Sequence, residues 1–262
     1  MAARNHIELV VKSMNVLETL AESAEGASLK DIAARVGLVK SSVFRILYTL
    51  KNIGYVEHGE GGLYRLTFKT TGLVRRSADR PTLSNLARHH LVDLRDALQE
   101  SAWIAEYRRD GIVLIDVVEA AHPLSLSYDV GDLCPVHATA LGKAIAAHLT
   151  PKELEALLPK GKLPKLTPHT NTNRRELDAE LVRVRKQGYA INDEETIEGV
   201  VLVGAPLFDS LGRVFAAISV SAPTVRCSSK KKREMIGRVI ATSRAITKDL
   251  YDAGFRMREP VA

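Results

Sequence analysis

Hydrophobic positions in the first quarter of the chain recur at helical spacing. Apolar side chains three and four positions apart predict an amphipathic helix over residues 7–23, which Gly26 ends. Ser28 is a good N-cap for a second, shorter helix that stops at Gly37. A third helix is predicted over residues 38–50. This order of helices, with a turn at glycine, indicates a helix-turn-helix.

The third helix combines an apolar side with a polar one. At about 100° per residue, its apolar residues fall together: Val43, Ile46, Leu47 and Leu50. The opposite side carries Ser41, Arg45 and Tyr48. Arginine is the commonest specific reader of guanine, and serine hydroxyls suit phosphates, so this side fits DNA. A solvated helix in an ordinary helical bundle remains the alternative at this point.

Two short strands, residues 55–57 and 63–66, flank a glycine-rich turn and predict a hairpin. A hairpin directly after a recognition helix is typical of a wing that reaches DNA beside that helix. The predicted DNA contacts are Ser28, Lys30, Lys40, Ser41, Ser42, Phe44, Arg45, Tyr48, Tyr64 and Arg65.

The rest of the chain alternates between strands and helices. A linking helix is expected within residues 67–80, and Pro81 is well placed to start the next helix. The predicted strands cover residues 102–107, 112–118, 125–130, 189–193, 200–208 and 214–221. The predicted helices cover residues 139–148, 151–158, 173–187 and 229–251. Strands joined by tight turns, with helices grouped between them, indicate an antiparallel α+β domain.

Composition limits the class of protein. With 45% hydrophobic and 26% charged residues, the chain is globular and not intrinsically disordered. Two cysteines, Cys134 and Cys227, exclude a disulfide scaffold and a cysteine-rich zinc module. No apolar stretch reaches the roughly 18 residues of a membrane span, and the start lacks a signal-peptide pattern. We therefore expect a cytoplasmic protein.

The net charge of +6 is distributed unevenly. Residues 1–80 hold 12 Lys and Arg against 8 Asp and Glu, which gives +4; residues 81–262 hold 25 against 23, which gives +2. A basic N-terminal unit beside a nearly neutral remainder is typical of a module that binds a polyanion. A chance fluctuation of two or three charges is the alternative.

Three further segments were candidates for chemistry. Residues 134–144 fail the phosphate-loop pattern because His137 and Ala144 replace the required glycine and hydroxyl residue. Neighbouring residues on a helix diverge by about 100°, so the rings of His89 and His90 are not expected to share one face of the helix. The pair predicts surface histidines, with metal binding as the less favoured alternative. The basic run 230–233 predicts a solvated face, with a DNA or partner contact left open. No cofactor-binding motif is present.

Several of these segments resemble the IclR family of bacterial transcription regulators. Residues 37–45 and 50–56 resemble its winged helix-turn-helix. In the larger domain, the segments similar to the family are 134–144, 188–195, 204–209 and 216–223. The resemblance as a whole covers about residues 7–250. The resemblance implies a DNA-binding domain at 1–66, a linker helix at 67–80, and a GAF-like antiparallel α/β domain at 81–262 that binds an effector and oligomerises as a dimer or tetramer.

The resemblance also implies an effector site between a loop-to-helix junction and the sheet. Its loop side would be Cys134, His137, Ala140, Leu141 and Gly142, and its sheet side would be Asn192, Leu202, Ser219 and Ser221. Ser219 and Ser221 are two apart on a strand and therefore share a face. Asn192 and Leu202 depart from the family's usual Asp and Cys, as Val39 and Phe44 depart in the recognition helix. We expect an effector with an acidic end and a larger apolar or aromatic body, unless Leu202 only packs the core.

The leading hypothesis is a regulator that binds operator DNA and responds to a small carboxylate metabolite, without enzymatic activity. The alternative is an enzyme acting on a small organic acid, with Ser219, Ser221, Cys134 and His137 as its nucleophile and base. A third is a constitutive DNA-binding protein whose large domain only oligomerises. The sequence does not distinguish an activator from a repressor.

Overall fold

The protein is described by a computed structural model. It describes residues 7–23, 25–59, 61–77, 82–108, 111–121, 128–158 and 161–255. The chain divides into two compact units, residues 1–81 and 82–262. None of the helices in the described ranges is both long and apolar enough to cross a membrane.

The first unit is a winged helix-turn-helix. Its elements are α1 (Glu8–Ala21), β1 (Ala27–Ser28), α2 (Leu29–Val36), α3 (Lys40–Asn52), β2 (Val56–His58), β3 (Leu63–Leu66) and α4 (Phe68–Ser77). The strands form an antiparallel sheet in the order β1-β3-β2. Strand β1 has only two residues and was not expected from the sequence, because two residues show no periodicity.

The turn between α2 and α3 follows from local chemistry. Ser28 Oγ accepts a hydrogen bond from the Asp31 backbone N–H and so caps the first turn of α2. Gly37 ends α2 in the left-handed conformation, with φ of 66°, where a side chain would be strained. The apolar sides of the three helices then meet around a core that includes Val16, Ile32 and Leu47.

The second unit is an antiparallel α+β domain. Its strands are β4 (Ala102–Arg108), β5 (Gly111–Val118), β6 (Ala190–Asp193), β7 (Val200–Phe208) and β8 (Val214–Pro223). Its helices are α5 (Leu83–Leu98), α6 (Ala140–Ala146), α7 (Pro151–Leu157), α8 (Arg174–Gln187) and α9 (Ser229–Asp252), with a short 3₁₀ helix at Thr224–Arg226. The strand order is β5-β4-β8-β7-β6. The α+β fold class is confirmed.

Two expected boundaries differ from the structure. Helix α5 starts at Leu83 behind an N-cap at Thr82, whereas Pro81, the expected first residue, lies outside the described residues. The strand expected over residues 125–130 falls partly outside them too, and residues 128–130 do not form a strand.

The five-stranded sheet separates two cores because its side chains alternate between faces. On one face, Ile104 and Ile218 pack with α5 and α9. On the other face, Trp103 and Ala217 pack with α6 and α8. The expected effector site belongs to this second face.

Candidate DNA-binding and effector sites

The outer side of α3 is exposed, as its pattern predicted. Ser41, Arg45 and Tyr48 are exposed, while the four apolar residues of the opposite side are buried. Within the described residues, the Arg45 guanidinium makes no hydrogen bond or ion pair. All five of its N–H donors are therefore available to a partner outside the unit.

Two aromatic rings, those of Phe44 and Tyr48, are exposed on the same helix as Arg45 and stack on each other. Phe44 and Tyr48 are 50% and 58% exposed, and their ring centroids lie 6.3 Å apart in a stacked arrangement. Exposed apolar surface of this kind suits contact with the methyl group of thymine. The recognition surface thus offers one cationic donor group and one apolar patch.

Two predicted DNA contacts have roles inside the fold. Tyr64 lies in the core of the unit, where its ring stacks on His58 with centroids 4.3 Å apart. The reason is that β3 is the central strand, and Tyr64 pairs with Ala27 of the unexpected strand β1. Ser28 uses its hydroxyl to cap α2 and to donate to Asp31.

Arg65 is held by the fold more firmly than Arg45. Its Nε donates to the backbone carbonyl of Glu25 at 2.8 Å. The side chain crosses Gly26 closely, because a Cβ on that glycine would lie 2.6 Å from Arg65 Cγ. Arg65 remains partly exposed, with its direction set by this contact. The other predicted contacts, Lys30, Lys40 and Ser42, lie at the surface of α2 and α3, with Ser42 half-buried.

A cavity with an empty volume of about 370 Å³, part of it open to solvent, lies on the second face of the sheet. It is lined by Trp103, Leu114, Tyr128, Cys134, Thr139, Leu141, Thr196 and Leu202. Three of these were predicted: Cys134, Leu141 and Leu202. The lining includes no charged side chain among the described residues. The single tryptophan of the chain, in a predicted strand, was the signal that could have drawn attention to β4.

The sheet-side candidates occupy two neighbouring rows of the sheet. In one row, Ser219 of β8 pairs with Trp103 of β4 and with Gly204 of β7. In the next row, Ser221 pairs with Leu202, which pairs with Asn192 of β6. The register therefore brings all four predicted residues together on the face that bears the cavity.

The two serines differ in their hydrogen bonding. Ser221 Oγ accepts a hydrogen bond from Trp103 Nε1 at 3.0 Å. Ser219 is fully buried, and its Oγ has no hydrogen-bond partner within the described residues. An unpaired buried hydroxyl destabilises a folded protein, so it calls for an explanation.

Asn192 does not line the cavity, but it holds a residue that does. Its Nδ2 donates to Thr196 Oγ1 at 2.6 Å, and its Oδ1 accepts from the Glu195 backbone N–H at 2.8 Å. Thr196 is in turn hydrogen-bonded to the Tyr128 hydroxyl, and burial raises the Tyr128 pKa. Thus Asn192 positions the two hydroxyls at this end of the cavity.

Three loop-side candidates are held by packing and do not line the cavity. The Ala140 carbonyl lies so close to Gly204 that a Cβ there would be 2.9 Å from the oxygen. A Cβ on Gly142 would lie 2.7 Å from Val136 Cα. His137 is buried, and its Nε2 donates to the Pro164 carbonyl at 2.8 Å. The first contact packs α6 against β7, and the other two hold the loop that leads into α6.

Sequence reasoning missed a buried ion cluster behind α6. Lys143 is 0% exposed, and its Nζ lies 2.7 Å from Glu180 and 2.5 Å from Glu195. Burial raises the Glu195 pKa, while the charge of Lys143 opposes that rise. Lysine is rarely buried without partners, and these partners lie 37 and 52 residues away along the chain.

The geometry gives little support to a catalytic role for the candidate nucleophiles. Burial, together with the charge of Asp132, raises the Cys134 pKa to about 12, so the thiol stays protonated near neutral pH. His137 is engaged by a backbone carbonyl. In the parts of the chain that the structure describes, no hydrogen bond joins Ser219 or Ser221 to a histidine.

The basic run at the start of α9 is partly used within the fold. Lys231 Nζ donates to the Leu98 carbonyl at 2.6 Å, which satisfies an end group of α5. Lys232 pairs with Asp193 at 3.0 Å. Lys230 and Arg233 are exposed.

Comparison with known proteins identifies the family. Residues 76–248 match the bacterial transcriptional regulator IclR C-terminal domain, and residues 9–60 match the IclR helix-turn-helix domain. The chain is 31% identical over 242 residues to the HTH-type transcriptional regulator KdgR of Dickeya chrysanthemi, covering 92% of this chain and 79% of that protein.

Solved structures agree with the fold. The Thermotoga maritima IclR structure superposes with a TM-score of 0.80 at 27% identity, covering 94% of this chain and 100% of that one. An IclR homolog from Microbacterium hydrocarbonoxydans, complexed with 4-hydroxybenzoate, gives 0.80 at 22% identity, covering 93% and 99%. The chain described here belongs to the IclR family of DNA-binding transcription regulators.

Proposed function

We propose that this regulator binds its operator through α3 and the wing, and that a small acid with an apolar or aromatic body controls this binding from the cavity. The observation that carries the proposal is the cavity lined by Trp103, Tyr128 and Leu202, beside the buried and unpartnered Ser219 hydroxyl. The proposal depends on a ligand that is mostly apolar but carries at least one polar group.

The apolar part of the ligand follows from the lining. Two aromatic and three leucine side chains line the cavity, and small-molecule sites are lined mostly by apolar and aromatic groups of this kind. Such a lining suits a ligand with an apolar ring or a branched apolar chain. Leu202 adds apolar bulk on the floor of the cavity, so a very small, strongly hydrated acid would leave much of the lining uncovered.

The acidic part follows from the neutral donors nearby. Tyr128, Thr139 and Thr196 are the lining residues that carry hydroxyls, but the Thr139 hydroxyl already donates to the Pro135 carbonyl. The Thr196 hydroxyl is engaged with Tyr128, so the proposed donors are the Tyr128 hydroxyl and the unpartnered Ser219 hydroxyl in the adjacent row of the sheet. Asn192 keeps a carboxylate out of this wall, which removes a repulsion toward an anionic ligand. The complex of the Microbacterium homolog with 4-hydroxybenzoate provides a precedent for an aromatic acid in this fold.

The operator contacts follow from the exposed groups of the first unit. Arg45 supplies unpaired donors for base edges, and Lys40 and Ser41 lie in the first turn of α3, where phosphates are favoured. One winged helix buries too little surface for tight specific binding, so we propose that two or four chains act together.

The domain limits at 66 and 80 and the cytoplasmic location remain predictions from the sequence.

The experiment combines both activities in one titration. Fluorescence anisotropy would follow the full chain binding to labelled DNA from upstream of its own gene, while aromatic and aliphatic carboxylates are added. Benzoate-type acids are expected to shift the DNA affinity, and glyoxylate and pyruvate to have a smaller effect. If only the smallest keto acids acted, the apolar-body proposal would be overturned.

Two controls separate the parts of the proposal. Leu202→Ala enlarges the cavity and should weaken the response to the active aromatic acid while leaving DNA binding without ligand unchanged. Conversion of an active acid to another compound by the purified chain would favour the enzyme alternative. DNA binding that ignores every acid would favour the constitutive alternative.

A further inference from the structure

Two adjacent histidines of α5 and one aspartate of α9 form a compact cluster of potential metal ligands. His90 Nε2 lies 2.8 Å from Asp249 Oδ2, and His89 Nε2 lies 3.9 Å from the same oxygen. One ligand atom from each of the three residues lies within 4.8 Å of the others. None of the three lines the effector cavity or belongs to the exposed side of α3.

The two rings meet although their Cα positions diverge on the helix. The centroids of His89 and His90 are 3.9 Å apart, with the planes inclined by 36°. Rotation about the side-chain bonds overcomes the 100° between neighbours, so the expectation that the two rings cannot share a face is wrong. Both imidazoles point toward the helix that packs against α5.

The separations fit a tetrahedral ion. With metal–nitrogen and metal–oxygen bonds of about 2.0–2.1 Å, ligand atoms in a tetrahedral site are about 3.3 Å apart. The observed 2.8 and 3.9 Å bracket this value. Two imidazoles and one carboxylate form a donor set that suits zinc and its neighbours more than calcium or magnesium, which prefer oxygen ligands.

The local charge also permits a cation. Lys248 lies next to Asp249 in the chain, but its ammonium group is paired with Asp252. His89 is 63% exposed and His90 is 17% exposed at the side chain, so the site is open to ions from solvent. A plain His90–Asp249 pair would not require His89 to turn toward the same carboxylate.

We propose that His89, His90 and Asp249 bind a zinc-class divalent metal ion that ties α5 to α9. Water would complete the coordination on the exposed side. Because α5 and α9 are the first and last helices of the domain, the ion joins segments 159 residues apart in the chain. This site is independent of the effector proposal.

The test uses the full chain after treatment with a chelator. Calorimetric titration with zinc sulfate is expected to show one ion per chain, and cobalt(II) is expected to give the visible absorption of tetrahedral coordination. The variants His89→Ala, His90→Ala and Asp249→Asn should each weaken zinc binding by at least the roughly 10–100-fold that loss of an outer-shell partner causes. His169→Ala, which changes an exposed histidine elsewhere, is the matched control and should bind as the unchanged chain does.

A second measurement guards against a folding defect in the variants. Zinc should raise the Tm of the unchanged chain and of His169→Ala, but not that of His90→Ala, while circular dichroism shows the same fold in all three. Absence of stoichiometric binding in the unchanged chain would overturn the proposal. So would binding that survives in the double variant His89→Ala/His90→Ala, because the ion would then lie elsewhere.

Discussion

The two proposed binding surfaces of this protein are built in opposite ways. On α3, the groups proposed to contact DNA lie outside the core, and the Arg45 guanidinium makes no hydrogen bond or ion pair within the described residues. In the effector domain, the proposed ligand-binding groups are core residues: Ser219 and Asn192 are both fully buried. A substitution on the first surface can therefore change DNA binding without altering the core. A substitution on the second surface always changes a core residue as well.

This difference explains why the exposed side of α3 was easier to predict than the walls of the cavity. The period of 3.6 residues determines which residues share one side of a helix, so each side chain can be assigned to the exposed or the buried side from its angle. The walls of a cavity depend on register and on distant segments. Cavity residues such as Trp103, Tyr128 and Thr196 come from three separate parts of the chain, which periodicity does not relate to one another.

The largest expected effect comes from the buried ion cluster of the second region. Lys143→Met leaves Glu180 and Glu195 without their cation, and breaking a buried pair in this way typically destabilises by about 3–5 kcal/mol. Urea denaturation monitored by circular dichroism would measure the loss. Lys248→Met removes an exposed ion pair and is the control, with little change expected. Equal stability of the two variants would refute a stabilising role for Lys143.

The same variant makes a prediction about pH. Burial raises the Glu195 pKa, so the folded state favours the protonated form and loses stability as the pH rises from the unfolded pKa through the folded one. Removing Lys143 removes the charge that opposes this rise. The stability difference between the unchanged chain and Lys143→Met should therefore be greater at about pH 8 than at about pH 5, as measured by the urea midpoint at each pH.

On the first surface, Arg45→Ala should act on binding and not on folding. We expect loss of about 1–3 kcal/mol of specific operator affinity, because bidentate base contacts contribute that much. Stability should change by less than about 0.5 kcal/mol, as for other exposed positions. Fluorescence anisotropy with specific and scrambled DNA measures the operator affinity, and thermal unfolding measures the stability. Arg238→Ala, an exposed arginine of α9, is the charge-matched control. Retained sequence preference in Arg45→Ala would remove α3 from the reading surface.

Two serines of β8 provide a smaller but sharper contrast within the effector region. Ser221→Ala leaves the buried Trp103 N–H without its acceptor and should destabilise by about 1–3 kcal/mol. Ser219→Ala removes a hydroxyl that has no partner, so stability should be unchanged or slightly higher. Yet Ser219→Ala should weaken the response to the effector. Thermal unfolding measures the two stabilities, and the acid titration measures the effector response. If Ser219→Ala were the less stable variant, the hydrogen bonds described for the two serines would be wrong.

The smallest effect concerns the two thiols. Because its pKa is raised to about 12, Cys134 should react slowly with iodoacetamide near neutral pH. An active effector should slow it further, since Cys134 lines the cavity. Cys227 lies outside the lining and should not respond to the effector. Mass spectrometry of tryptic peptides would report both rates, and effector protection of Cys227 alone would place the ligand elsewhere.

The sequence predicted most helices and strands to within a few residues, because long periodic segments report their own type. Prediction from the sequence was wrong or incomplete where the position of a side chain depends on contacts with distant segments. Tyr64 was expected on the DNA surface because alternation in a strand does not reveal which face is covered, and this face of β3 packs into the core of the unit. His89 and His90 were expected to diverge because angles on a helix describe Cα positions, not ring positions. Lys143 was overlooked because its partners are distant in sequence.

The close approach of Ala140 to Gly204 has a consequence for how relatives of this protein can change ligand. A single methyl group at position 204 would meet the backbone of α6 at 2.9 Å, and backbone cannot move aside as a side chain can. Position 204 is therefore closed to substitution whatever the ligand is. Leu202, one row away and facing the cavity, has no such constraint. New ligand preferences in this lineage should arise by exchange at 202, while 204 stays glycine.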